Sequence, residues 1–182
     1  MKDERLMRIR ICGKSGQGIV AMGNMLGYAA LLQGKCVSVS ASVAPAPQEG
    51  KVYCDVIMSN LPIDFPKIAE ADILLALWGD AYSENIETLE KEAVVFYEPL
   101  FVKPVHTLRH HAVAAREASQ KELKSTRDAS LVFLSCVVRA TRVISLDALT
   151  KSVRVNVSPA ALPASLKGMD LGIRIAKKVK YP

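Results

Sequence analysis

The segment that most restricts the fold is Ile9-Arg10-Ile11-Cys12-Gly13-Lys14-Ser15-Gly16-Gln17-Gly18-Ile19-Val20-Ala21-Met22-Gly23. A short apolar run ends in three glycines over six residues, then passes directly into helical spacing. This predicts a strand, a tight turn and a helix N-terminus, the arrangement with which α/β proteins hold an anionic group. Glycine suits such a turn because it tolerates φ > 0 and lets backbone N–H groups come close to a ligand. The spacing is G-x-x-G-x-G. It is not the dinucleotide fingerprint G-x-G-x-x-G, and Lys14-Ser15 lies inside the glycine run, so it is not a P-loop either. On these residues alone, a phosphate-bearing ligand and a purely structural turn are both open.

Half of the 182 residues are hydrophobic, enough for one core, and a single domain over 1–182 is the expectation. The net charge of +6 is scattered, apart from Lys177, Lys178 and Lys180. No basic stretch is interleaved with aromatic residues, so nucleic acid is not an expected partner. Cys12, Cys36, Cys54 and Cys136 stand far apart, without a C-x-x-C pair for zinc or an iron–sulfur cluster. They read as reduced, mostly buried thiols of a cytoplasmic protein. Met1-Lys2-Asp3-Glu4-Arg5 is too charged for a signal peptide, and no apolar run approaches the ~20 residues of a membrane span. His106, His110 and His111 share one segment and read as solvated loop histidines, which leaves no obvious acid/base constellation.

Strands are expected at 7–12, 35–41, 52–59, 71–77, 93–97 and 105–108. Helices are expected at 17–33, where Gly23 and Gly27 share a face that can press on the sheet, and at 81–91. Pro62–Ala69 reads as a short loop-and-helix piece. Further helices follow near 112–124, 130–141 and 146–152. Ser158-Pro159 and Ser165 are candidate caps for a last helix ending near Lys178. The alternation predicts a three-layer α/β/α sandwich, Rossmann-like, with a mostly parallel sheet and a helical C-terminal third. Within that third, Leu131, Val132, Leu134 and Val138 recur at helical spacing. They form either a surface for partner subunits, making the isolated chain a homo-oligomer, or a helix buried in the chain's own core.

Ligands of such sheets lie beyond the carboxyl ends of the strands. Four segments gather there: Gly13–Gly18, Ser42–Gly50, Trp78–Tyr82 and Glu98–Phe101. The candidate ligand-contacting residues are Gly13, Lys14, Ser15, Gly16, Gln17 and Gly18, joined by Pro45, Gln48 and Trp78.

Taken together, the residues resemble the gamma subunit family of 2-oxoacid:ferredoxin oxidoreductases. The family opens with a strand and a G-x-G-G-Q-G turn, which here reads Gly13-Lys14-Ser15-Gly16-Gln17-Gly18. The glutamine between glycines is more specific than the glycines themselves. The resemblance continues through 71–77, 143–149 and Leu166-Lys167-Gly168-Met169-Asp170-Leu171-Gly172. It implies a non-catalytic subunit of a complex that decarboxylates a 2-oxoacid oxidatively to its acyl-coenzyme A and passes electrons to ferredoxin. Coenzyme A is the ligand implied near this chain, with no cofactor held firmly by it. Thiamine diphosphate and the iron–sulfur clusters are implied on partner subunits, with ferredoxin an indirect partner. The related beta subunit of indolepyruvate:ferredoxin oxidoreductase is an alternative of the same length. A stand-alone nucleotide-binding enzyme and a scaffold protein are the alternatives from other classes.

The second loop departs from the family. Where members carry Pro-Glu-x-Arg-Gly-Gly, this chain has Pro45-Ala46-Pro47-Gln48-Glu49-Gly50. The missing arginine removes a bidentate anion donor, and Glu49 would repel a phosphate. Ser15 likewise replaces a glycine of the first turn.

Overall fold

The computed structural model describes residues 6–43, 50–105, 109–179 and 181. Its strands are Leu6–Lys14 (β1), Cys36–Val43 (β2), Lys51–Ser59 (β3), Ala71–Ala76 (β4), Leu89–Tyr97 (β5) and His110–Ala112 (β6). They form one sheet in the order β2-β3-β1-β4-β5-β6. β1, β4, β5 and β6 are parallel neighbours, while β3 runs antiparallel to both β1 and β2. β3 is thus the one described strand that opposes the rest. Its start therefore lies at the sheet end where the other strands finish.

The helices are Ile19–Leu32 (α1), Gly79–Asn85 (α2), Ala115–Leu123 (α3), Ala129–Thr141 (α4), Leu146–Asn156 (α5) and Leu162–Ile175 (α6). None of the described helices is long and apolar enough to cross a membrane. Alternation along the strands sorts the core into two faces. Ile9, Ile11, Val56, Met58, Ile73, Leu75 and Phe96 point to the face covered by α1, α4 and α5. Cys12, Leu74, Ala76 and Val95 point to the other, where Ala81 and Tyr82 of α2 and Val102 cover them. Helices therefore flank both faces of a mostly parallel sheet, unequally.

Close packing on the thicker face depends on glycines of α1 and α6. A Cβ on Gly23 would stand 2.1 Å from Cys54 Sγ, and one on Gly27 2.5 Å from Val39 Cγ2. This is the close approach of α1 to the sheet that the spacing predicts. Between α4 and α6, a Cβ on Gly172 would stand 2.3 Å from the Val132 carbonyl oxygen. On the thinner face, the Arg10 guanidinium donates to both carboxylate oxygens of Asp55 at 2.8 Å, to Ile68 O at 3.1 Å and to Asn85 Oδ1 at 3.2 Å. A half-buried cation with this many acceptors ties β1, β3 and α2 together.

Some local expectations fail. The helix expected over 81–91 ends at Asn85, and β5 already begins at Leu89. Thr88 O accepts from Ala71 N, which draws this segment onto the parallel ladder. Residues 62–69 form no helix. Of the strand expected at 105–108, residues 106–108 lie outside the described residues, and the last described strand is β6. Ser165 caps nothing. It is buried inside α6 and donates to Asp128 Oδ1 at 2.7 Å. Leu131, Val132, Leu134 and Val138 are all at most 4% exposed, so α4 is a core helix and offers no partner surface.

Candidate functional site

The glycine turn lies at the carboxyl end of β1, and its three glycines do different work. A Cβ on Gly13 would stand 2.7 Å from Gln17 Oε1, so Gly13 makes room for the glutamine to fold back. Gln17 Oε1 accepts from Lys14 N at 2.6 Å, and Gln17 Nε2 donates to Leu77 O at 3.0 Å. Gln17 N donates to Lys14 O at 3.1 Å. Gly18 has φ 74° and precedes α1, and a Cβ there would meet Ser130 Oγ at 2.7 Å. Gly16 differs from both. It is left-handed, at φ 84°, and no atom lies within 4 Å of where its Cβ would be. That open space is the feature a close-approaching ligand needs.

Gly16, Gln17 and Gly18 line a cavity of about 110 Å³, shared with Arg116, Arg127 and Ser130. A larger groove of about 820 Å³ adjoins it, with Glu98, Arg116 and Thr126 common to both. The cavity is bounded by the first turn of α1 at Gly18 and the first turn of α4 at Ala129 and Ser130. Helix N-termini carry partial positive charge and outward-pointing N–H groups, so two of them with two arginines make an electropositive hollow. α3 begins beside it but is already capped: Arg116 N donates to Glu98 Oε2 at 2.9 Å. Glu98 is 4% exposed, and burial raises its carboxyl above the ordinary value in spite of the amide bonds and the Arg116 charge. Glu98 is the acidic side chain among the described residues that line this cavity, and its Oε2 is occupied by the Arg116 amide.

Of the other expected residues, Gly13, Lys14, Ser15 and Trp78 do not line the cavity. Ser15 N donates to Gly50 O at 2.5 Å, which joins the turn to the start of β3. Lys14 Nζ lies 5.0 Å from the centre of the Trp78 ring, and that ring lies 5.3 Å from the Phe101 ring. Phe101 in turn receives the Arg116 guanidinium at 5.6 Å and lines the cavity. Lys14, Trp78, Phe101 and Arg116 thus form one row, two neighbouring rings with a cation at each end. Behind it, Glu84 accepts from both Lys51 Nζ and the Tyr53 hydroxyl, and these bonds hold its carboxyl below the ordinary value. Pro45 and Gln48 lie outside the described residues.

Sequence reasoning missed Arg116, Arg127 and Ser130. They lie about a hundred residues from the turn, and only folding brings them to it. The usable signal was Glu98, the polar residue that ends β5, since a buried carboxylate there needs an amide or cation partner.

All four cysteines are free, and three of the four are buried. Burial pushes the Cys54 thiol up to about 11 and those of Cys12 and Cys136 up to about 12, so all three are protonated at neutral pH.

Comparison with known proteins adds a second kind of observation. The family model described as pyruvate ferredoxin/flavodoxin oxidoreductase matches residues 8–175. The 2-oxoglutarate synthase subunit KorC of Methanocaldococcus jannaschii is 28% identical over 176 residues, covering 94% of each chain. Among solved structures, the gamma subunit of a keto/oxoacid ferredoxin oxidoreductase from Geobacter sulfurreducens superposes with a TM-score of 0.82 at 24% identity. That match covers 94% of this chain and 99% of the other. The 2-oxoglutarate:ferredoxin oxidoreductase from Magnetococcus marinus, solved with 2-oxoglutarate, coenzyme A and succinyl-CoA bound, gives a TM-score of 0.86 at 20% identity. There the match covers 99% of this chain and 32% of the other.

Proposed function

The chain belongs to the pyruvate ferredoxin/flavodoxin oxidoreductase family, and on that premise we propose that it is the gamma-type subunit of a 2-oxoacid:ferredoxin oxidoreductase complex. The observation that carries this reading is end-to-end coverage: a relative named as a subunit is matched over 94% of its own length. The reaction implied removes carbon dioxide from a 2-oxoacid, joins the acyl group to the coenzyme A thiol and sends the electrons to ferredoxin. Thiamine diphosphate and the iron–sulfur clusters belong to partner subunits in this reading, and the chain alone turns nothing over.

The part assigned to this chain is to hold the phosphate end of coenzyme A. The residues present fit a phosphate. Gly16 leaves backbone room for it, the first turns of α1 and α4 face the hollow, and Arg116 and Arg127 flank it. The Gln17 amide nitrogen is committed to the turn, so the backbone donors fall to Gly16 and Gly18. Pro45 and Gln48, in the loop that departs from the family pattern, are proposed to contact the ligand as well, and the Lys14–Trp78 pair to border it.

Trp78 is the single tryptophan of the chain and reports on this site directly. Titration of the protein with coenzyme A should change its fluorescence saturably, and dephospho-coenzyme A or adenosine should do so more weakly. A signal unmoved by coenzyme A would contradict the ligand assignment while leaving subunit membership to be decided by reconstitution.

A further inference from the structure

We propose that the outer edge of β2, which pairs with no other strand among the described residues, pairs with the β2 edge of a second copy of this chain, antiparallel and centred on Ser40, so that two sheets become one. The proposal is independent of the function proposed above. β2 is the outermost strand, and it pairs with β3 in unbroken register over all its residues, from Cys36 opposite Ser59 to Val43 opposite Val52. From Val39 to Val43 it is exposed, with Val39 38% and Val43 65% accessible. An edge strand of this length is normally guarded by lysine, proline, an inward charge or a bulge, and Cys36–Val43 has none of these.

The strand's own sequence selects a second copy as the occupant. Val37-Ser38-Val39-Ser40-Ala41-Ser42-Val43 reads nearly the same in both directions about Ser40. A two-fold axis there sets Val37 opposite Val43, Val39 opposite Ala41, and Ser38 opposite Ser42. The valines share the face on which Gly27 of α1 approaches Val37 and Val39, so apolar meets apolar on that face and serine meets serine on the other. A two-fold also sets every charge near its centre against its own copy. This strand carries no charge, so self-pairing meets no like-charge repulsion.

Beside the strand, Val20, Asn24, Tyr28 and Leu31 follow one another at helical spacing on α1 and are exposed. With the strand they give about a dozen residues per copy, against roughly 20–30 a side in a standard stable interface. The pair is therefore reversible and set by concentration.

The test uses the full 182-residue chain. Sedimentation over a concentration series should show the parent self-associating. Ser40→Lys, at an exposed position that sets charge against like charge, should sediment as a monomer with an unchanged circular dichroism spectrum. In a Cys36→Ser background, Ser40→Cys should form a disulfide-linked dimer under mild oxidation, because opposed antiparallel residues stand about 4.5–5.5 Å apart, within disulfide reach. Ser38→Cys alone should not cross-link, whereas Ser38→Cys combined with Ser42→Cys should. A parent that stays monomeric overturns the proposal, including the case where another subunit alone occupies this edge. A dimer that survives Ser40→Lys, or that Ser40→Cys fails to trap, overturns it as well.

Discussion

Gln17 donates its side-chain amide to the Leu77 carbonyl at 3.0 Å while its Oε1 accepts from Lys14 N. The glutamine that marks the turn in sequence is therefore a tie between the ends of β1 and β4. It holds the glycine turn against the parallel ladder, and the cavity wall at Gly16 depends on that position.

Removing the tie should cost stability before it costs ligand contact. Gln17→Leu leaves the carbonyl of buried Leu77 without its donor, so a loss of about 1–3 kcal/mol in unfolding free energy is expected. Gln17→Glu keeps the acceptor but sets a carboxylate against the Leu77 carbonyl, and it should lose at least as much. Denaturant unfolding checks both. A neutral Gln17→Leu would mean that the turn stands without its glutamine.

Glu98 makes stability depend on pH in a direction opposite to most carboxylates. Its folded pKa is raised by burial above the ordinary 4.5, so the folded chain binds this proton more tightly than the unfolded one. The stabilisation is full below the unfolded pKa and is lost as pH rises through the folded value. The unfolding free energy of the parent, measured from about pH 4 upward, should fall relative to Glu98→Gln over the region above 4.5. Parallel curves would show that the Glu98 carboxyl is not raised.

Much of the fold was legible because its signals are local. The apolar alternation of Ile9 and Ile11, the near-continuous run 71–77 and the Gly23–Gly27 face are each read within a few residues. The failures occurred where a distant partner decides the outcome. Leu89–Lys91 has no strong strand pattern, yet the parallel ladder beside β4 extends it into β5. The α4 stripe cannot show from sequence whether it meets solvent or α6, and the contact of Gly172 with Val132 settles that. Of the site, the glycine turn was legible and its cations were not, because Arg116 and Arg127 reach the cavity at Gly16 only through the packing of α3 on α4 and of α4 on α1.

The α4–α6 contact gives a further check on packing. Gly172→Ala would press a methyl group into the Val132 carbonyl and Ser135 Oγ, both in a buried helix interface. A loss of about 1–3 kcal/mol or more is expected from such overpacking. Gly168→Ala, whose Cβ would meet Asp128 Cβ at 3.1 Å, should lose less. Equal effects would contradict the close approach at Gly172.

The ligand assignment predicts a division between affinity and stability. Gly16→Ala meets no neighbouring atom, so its structural cost is limited to backbone strain of roughly 1–2 kcal/mol. Coenzyme A affinity, followed by Trp78 fluorescence in the folded variant, should still drop. Arg116→Ala and Arg127→Ala should each weaken it about 10- to 100-fold, the scale of one charge-assisted hydrogen bond. Parent-like affinity in all three variants would make the turn purely structural.

Subunit membership is the central claim, and reconstitution tests it most directly. The thiamine-binding and iron–sulfur subunits proposed as its partners are assayed for 2-oxoacid- and coenzyme A-dependent reduction of ferredoxin, with and without this chain. The account predicts that the chain alone is inactive, that the other subunits alone are slow or inactive, and that adding the chain restores turnover in proportion to the amount bound. Turnover by the purified single chain, or full activity of the remaining subunits in its absence, would contradict it.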